Sequence, residues 1–344
     1  MATYNREPVR LAAFGEFLLR LHCSDNKRIL QAGAYDAYFA GAEANVCVLL
    51  ARLGIPASYI TRAPENDITL AGIGQLRSHG VMTDHILFGG DKLGIYFTEP
   101  GNVIRPTRVI YDRTGSSYAY LQRGMVDWAD ALSGATYFHW SGVAAAVSQG
   151  AADACAEALE VARAGDMIIS SDFNYRTTLW KYGRHPREIM PELLQHSQVA
   201  VADLDSAGVY FGIETDPHGS VEERFRECSS ALREKLPNLQ VLAMSFRKSE
   251  AGRSVYSGAL LYKGECYFSA GYELTFVADQ IGAGDAFTGG LLYGLMNGYE
   301  PGSIIDFATA CGALKQSIPG DWALLNKAEI ELFVRSGGSG RIIR

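Results

Sequence analysis

The sequence predicts an α/β fold in which a mostly parallel central sheet is covered by helices on both faces and a small β lid stands over one edge. Apolar runs of strand length alternate with helix-length amphipathic stretches throughout the chain, as parallel strands joined by crossover helices require. Two stretches, about 22–39 and 91–122, break the alternation with short strand-like segments and no helix between them. Late in the chain, a glycine turn runs straight into a long apolar helix in "DQIGAGDAFTGGLLYGLMNG".

Taken in order, "VRLAAFGEFLLRL" reads as a strand and "EANVCVLLARLG" as a helix closed by Gly54. "ASYITRA" is the next strand, followed by the helix pattern "TLAGIGQLRSHG". In the two irregular stretches, "RILQAGAYDAYFA", "LGIYFTEP" and "RVIYDRTGSSYAYL" alternate like strands that leave the main layer and pair with each other. They form a flap over the carboxyl edge of the sheet, where ligands of open α/β sheets bind and where a flap can close on a substrate. "ATYFHWSGV", "DMIISSDFN", "SQVAVAD" and "QVLAMSF" continue the strands, with helices such as "QGAADACAEALEVARAG" between them. Without a repeat, linker or low-complexity tract, residues 1–344 read as one domain carrying an inserted lid.

Composition narrows the partners. With 48% hydrophobic and 20% charged residues and a net charge of −7, neither nucleic acid nor an anionic membrane is expected as the main partner. A small anionic substrate stays open, because a pocket can be locally basic. No stretch reaches the roughly 18 apolar residues of a membrane span, and "MATYNREPVR" lacks the apolar core of a secretory signal. Six scattered cysteines without a C-x-x-C suggest reduced thiols and a cytoplasmic protein. The seven histidines show no metal-ligand spacing, and His139 reads as a core histidine.

The turn Gly282-Ala283-Gly284 opens a helix whose apolar stripe is Phe287, Leu291 and Leu295 and whose end is Asn297-Gly298. Free amides and the helix dipole at that start make an anion site. Asp285 lies in the first turn. It can cap the helix, or take a proton from a hydroxyl attacking a phosphoryl group, a task for which a weak base suffices. The segment alone leaves both readings open. No G-x-x-x-x-G-K-[ST] occurs, and Phe287 occupies the third glycine position of a dinucleotide fingerprint.

"VADQIGAGDAF" resembles the signature of the ribokinase-like carbohydrate kinases, and "FAGAEANVCVLLARLG" resembles their first motif, with Gly41 and Asn45 matching and Ala40 replacing the first glycine. The resemblance implies a three-layer α/β/α fold with a β lid. It also implies that Gly282, Ala283 and Gly284 hold the transferring phosphoryl group and that Asp285 is the base. Where ribose and adenosine kinases carry a sugar-clamping aspartate, this chain has Arg20. "NKRILQA…GAEANV", "LGIYFTEPG", "RPTRVIYDRTGSSYA" and "DFNYRTTLW" are similar to the 2-keto-3-deoxygluconate kinases of that family. By that resemblance Gly41, Asn45, Tyr96, Tyr111, Arg113, Arg176, Asp285 and Asp321 bind substrate, with Arg113 taking the carboxylate and Arg176 near the transferred phosphate. The reaction implied is ATP-dependent phosphorylation of 2-keto-3-deoxygluconate at its C6 hydroxyl. A fructokinase or other hexose or sugar-acid kinase is the alternative, and a non-catalytic sugar-acid sensor a third reading.

ATP and Mg²⁺ are the implied cofactors. Asn174, Arg176, Ser245, Arg247 and Gly282–Gly284 are expected along the nucleotide, with Gly312 and Ala313 giving space near the adenine. No protein ligand of the metal is assigned, although Asp203 stands where many relatives have an Asn-x-x-Glu motif. A homo-oligomer is expected, because lid strands with exposed edges need covering.

Overall fold

The structure is a computed structural model and describes residues 10–101, 105–250 and 253–338. Residues 102–104 of the expected lid and 251–252 of the expected nucleotide loop lie outside the described residues. The strands are β1 (Leu11–Phe14), β2 (Leu18–His22), β3 (Asp36–Ala40), β4 (Ala57–Ala63), β5 (Ile86–Phe88), β6 (Gly94–Glu99) and β7 (Arg108–Asp112). They continue with β8 (Tyr137–Ser141), β9 (Ile168–Asp172), β10 (Val199–Val201), β11 (Val241–Glu250), β12 (Arg253–Tyr262), β13 (Glu265–Phe268) and β14 (Tyr272–Glu273).

The large sheet has the order β13-β12-β11-β10-β9-β8-β1-β4-β5. From β11 to β5 every pairing is parallel, while β12 pairs antiparallel with β11, β13 and β14. Successive residues of a strand face opposite layers, so Leu11 and Ala13 enter one core and Ala12 and Phe14 the other. The first core is closed by helices Ala42–Arg52, Ala283–Met296 and Pro301–Lys315, the second by Gln149–Ala164, Pro186–Leu194, Leu204–Phe211 and Val221–Lys235. None of the helices among the described residues is long and apolar enough to cross a membrane.

The lid is a second sheet of order β3-β2-β6-β7. Here the reading of "VRLAAFGEFLLRL" as a single strand is corrected: Gly15-Glu16-Phe17 breaks it, leaving β1 in the main sheet and β2 in the lid. The lid therefore starts at Leu18, and residues 22–39 contribute mainly β3 after a short 3₁₀ turn at Ile29–Gln31. The expected loop after "QVLAMSF" is instead a long hairpin, with β11 and β12 paired from Val241↔Tyr262 to Glu250↔Arg253. The cysteines are free, and all but the half-buried Cys266 are buried.

Candidate active site

Two glycine turns make the floor of a cavity of about 460 Å³ at the carboxyl edge of the large sheet, under the lid. Gly41 has φ 152°, and a Cβ there would stand 2.5 Å from the Glu16 carbonyl. Gly282 has φ 81°, and a Cβ would overlap the Asp321 carbonyl. Only glycine allows the backbone to pass at either point. Gly284 differs, because nothing lies within 4 Å of where its Cβ would be. Its face is open to the cavity, beside first-turn amides that the helix itself cannot pair.

The two turns start helices Ala42–Arg52 and Ala283–Met296, and the side chains from those starts meet: Asn45 Nδ2 donates to Asp285 Oδ2 at 2.6 Å. Asp285 lines the cavity and is half-buried. Burial raises its pKa to about 6, with the Asn45 hydrogen bond and the Arg176 charge pulling the other way. Asp172, at the end of β9, is pushed further, to about 8, by burial and then by the Asp285 charge. Its oxygens accept from the Asn174 amide at 3.1 Å and the Thr288 hydroxyl at 3.4 Å. Near neutral pH, Asp285 is thus the more readily ionised of the two and Asp172 the one that favours its proton.

Of the residues expected at the site, Gly41, Asn45, Tyr96, Tyr111, Arg113, Asn174, Arg176, Ser245, Gly282, Gly284, Asp285 and Asp321 line this one cavity. Asp203 does too, but both its oxygens accept from Ser206, from the amide at 2.8 Å and from the hydroxyl at 2.5 Å, capping helix Leu204–Phe211. Arg176 is exposed, and its Nη1 donates to the Tyr175 carbonyl at 2.9 Å. Arg113 is buried, and its Nε and Nη2 both donate to Glu16 Oε2, the former at 2.8 Å. Among the described residues no hydrogen bond is formed by its Nη1. Ser116 donates to the other Glu16 oxygen at 2.5 Å. Asp321 is not a free carboxylate, because it accepts from the Tyr96 hydroxyl and from Arg20 Nη1.

Four expectations shift. Ala283 is buried, does not line the cavity, and its amide donates to the Gln280 carbonyl at 3.3 Å, leaving Gly282 and Gly284 as the turn residues that face the cavity. Gly312 and Ala313 are away from the cavity: the room beside Gly312 is filled by the Tyr256 ring, whose hydroxyl oxygen would lie 2.5 Å from a Cβ there. Arg247 lies within the hairpin, paired in register with Tyr256, and does not line the cavity either. His139 is a core residue, as expected, with Nδ1 3.1 Å from the Ser170 hydroxyl and its pKa lowered by burial to about 4. Sequence reasoning did not single out Glu16 or the proton-holding Asp172. Asp172 ends an apolar strand and begins "DFNYR", a signal that was available.

The pfkB family carbohydrate kinase model matches residues 10–323. The chain belongs to that family. Among its relatives is a 2-dehydro-3-deoxygalactonokinase of Haloferax volcanii, 28% identical over 331 residues and covering 96% of this chain and 98% of that one. A 2-dehydro-3-deoxygluconokinase of Thermoproteus tenax is 28% identical over 320 residues, covering 91% and 90%. The crystal structure of 2-dehydro-3-deoxygluconokinase from Thermotoga maritima superposes with a TM-score of 0.90 at 33% identity, covering 96% of this chain and 100% of that one. The large sheet with its separate lid is thus the fold of a pfkB carbohydrate kinase, and this protein is a kinase of that class.

Proposed function

We propose that this pfkB-family kinase transfers the γ-phosphoryl group of ATP to the C6 hydroxyl of 2-keto-3-deoxygluconate or its close epimer. The observation that carries the reading is Asp285, held by Asn45 at 2.6 Å beside the open face of Gly284 in a cavity walled by Tyr96, Tyr111 and Arg113. The bound hydroxyl attacks phosphorus as Asp285 accepts its proton, and the bond to the bridging oxygen of ADP breaks. First-turn amides hold the phosphoryl oxygens and Arg176 offsets their charge. Arg113, which lines the cavity, takes the substrate carboxylate. The relatives' names support a sugar acid over a neutral sugar.

ATP lies with its phosphates toward Gly282–Asp285. The donor set suits Mg²⁺ that arrives on the nucleotide: Asp203 is engaged by Ser206, and no group of three or more metal-ligating side chains occurs among the described residues. Such an ion, held chiefly through phosphates and water, would neutralise phosphate charge. The outer face of the lid carries Leu19, Leu21, Ile95, Phe97 and the exposed Ile110. A second copy covering that face is our reading of the assembly. A coupled ADP-release assay tests the substrate, comparing the keto-acid with fructose and ribose. Comparable kcat/KM on the neutral sugars would select a hexose kinase instead.

A further inference from the structure

The cavity lining is crowded with negative charge. Asp203, Asp285 and Asp321 line it beside the protonated Asp172, against Arg113 and Arg176, and Arg113 is already paired with Glu16. An acidic substrate has to enter this field. Behind the wall stand two further cations, Lys315, whose Nζ donates to the Asp279 carbonyl at 3.3 Å, and Arg20 of the lid strand β2, each with 0% exposure. The geometry around Arg20 is the more specific. Its Nη1 is 3.0 Å from Asp321 Oδ2 and its Nη2 2.8 Å from Asp279 Oδ2. Its Nε donates to Thr98 Oγ1 at 2.8 Å. Nη2 also lies 3.0 Å from His22 Nδ1; the guanidinium can only donate, so that ring nitrogen is the acceptor. Burial alone would pull the guanidinium pKa down, yet the charges of Asp321 and Asp279 outweigh it and the net shift is upward.

The two aspartates flank the glycine turn at 282, Asp279 just before it and Asp321 packed on it from a later loop. Asp279 accepts from the Ile281 amide at 3.1 Å and the Gly320 amide at 3.0 Å, and the Asp321 carbonyl is the atom that makes position 282 a glycine. The lid also reaches Asp321 through the Tyr96 hydroxyl.

We propose that Arg20 is a specificity-determining positioning residue, whose charge, together with that of Lys315, balances the carboxylates of Asp279 and Asp321 at the cavity wall and so lets the cavity accept an acid. The proposal rests on the sugar-acid reading above. It gives the acid selectivity a source other than direct contact, because Arg20 is sealed from the cavity.

The test compares wild type with Arg20→Met, Asp279→Asn and the double variant, measuring KM for the keto-acid, for fructose and for ATP, with acid binding followed by titration calorimetry. Wild-type turnover of the acid comes first, and its absence overturns the substrate reading and this inference together. With that turnover present, Arg20→Met is expected to raise KM and Kd for the acid about ten-fold, the scale of one uncompensated nearby charge. Fructose and ATP constants should stay within about two-fold. Asp279→Asn removes a negative charge and leaves Arg20 paired with Asp321, so it tests the idea even if Arg20→Met folds poorly; it should tighten the acid several-fold. The double variant restores the wild-type charge balance and should restore acid affinity. An acid KM that ignores the charge balance, or a double variant weaker for all three ligands, overturns the proposal and leaves Arg20 a structural tie.

Discussion

Glu43→Gln offers a thermodynamic test of how the site is built. Glu43 lies in the first turn of helix Ala42–Arg52, 1% exposed, in room that exists because Gly15 has no side chain. Burial raises its pKa from 4.5 to about 7; the Ser141 hydroxyl nearby offsets part of this, although neither Glu43 Oε1 nor Ser141 Oγ completes a hydrogen bond. Because the folded value is the higher one, the native state keeps a proton that the unfolded chain releases between pH 4.5 and 7. Stability therefore falls as pH rises through that window and is level above it. The rise from 4.5 to about 7, at about 1.4 kcal/mol per pH unit, costs about 3 kcal/mol of stability at pH 8. Glutamine keeps the shape and cannot ionise. Urea unfolding of both proteins at pH 5 and pH 8 should show Glu43→Gln gaining about 2.5 kcal/mol on wild type between the two, or about 4 °C in Tm for a chain this long. Other titrating groups are common to both proteins and cancel. Stability curves that run parallel across the range would refute a buried, proton-holding Glu43.

Asp285→Asn should lower kcat by several orders of magnitude while ATP affinity, followed by calorimetry, stays nearly unchanged; a loss of only a few fold would remove the base assignment. In wild type, kcat/KM should fall on the acid side through pH about 6, as Asp285 protonates. Since Arg176 holds that pKa down, Arg176→Met should move the limb to higher pH, and an unmoved limb would show that Arg176 acts elsewhere. Replacing Arg113 alone strands Glu16, so Arg113→Met is best paired with Glu16→Gln; a KM for the acid raised about ten-fold or more, without a change in thermal stability, is expected for a carboxylate contact. Light scattering at micromolar concentration should report a dimer or larger, and Phe97→Glu on the outer face of the lid should shift it toward monomer.

The parallel sheet was legible because its strands and helices differ in period, and the site's floor because glycine is irreplaceable where backbone must pass backbone, as at Gly41 and Gly282. The split of β1 from β2 was hidden: apolar residues run through Phe14, Phe17 and Leu18, and the change of sheet is made by a backbone bend at Gly15-Glu16 that hydropathy does not register. Tyr256 over Gly312 was hidden for another reason. A glycine in a helix signals close approach but does not say whether a ligand or a side chain of the same protein makes it. Charge pairing was the least visible of all. Arg113 with Glu16 spans 97 positions and Arg20 with Asp321 spans 301, and nothing local marks either partner.

Those long-range pairs explain why the two glycine motifs can serve one reaction from opposite ends of the chain. A helix start by itself attracts anions, and two placed side by side would draw phosphate or carboxylate to either. Here the second start is fitted with its own carboxylate, Asp285, and the first contributes an amide, Asn45, that holds it at 2.6 Å. On the function proposed above, the phosphoryl group goes to the open face at Gly284, with Asp285 beside it as the acceptor for the hydroxyl. Asn45 Oδ1 is buried without a partner, so the amide has little to gain by turning away. Asn45→Asp would set two carboxylates against each other and drive one of them to keep a proton. The acid limb of kcat/KM should then move up past pH 6, with kcat at pH 7 reduced more than at pH 9. An acid limb left in place would mean that Asn45 orients nothing at Asp285.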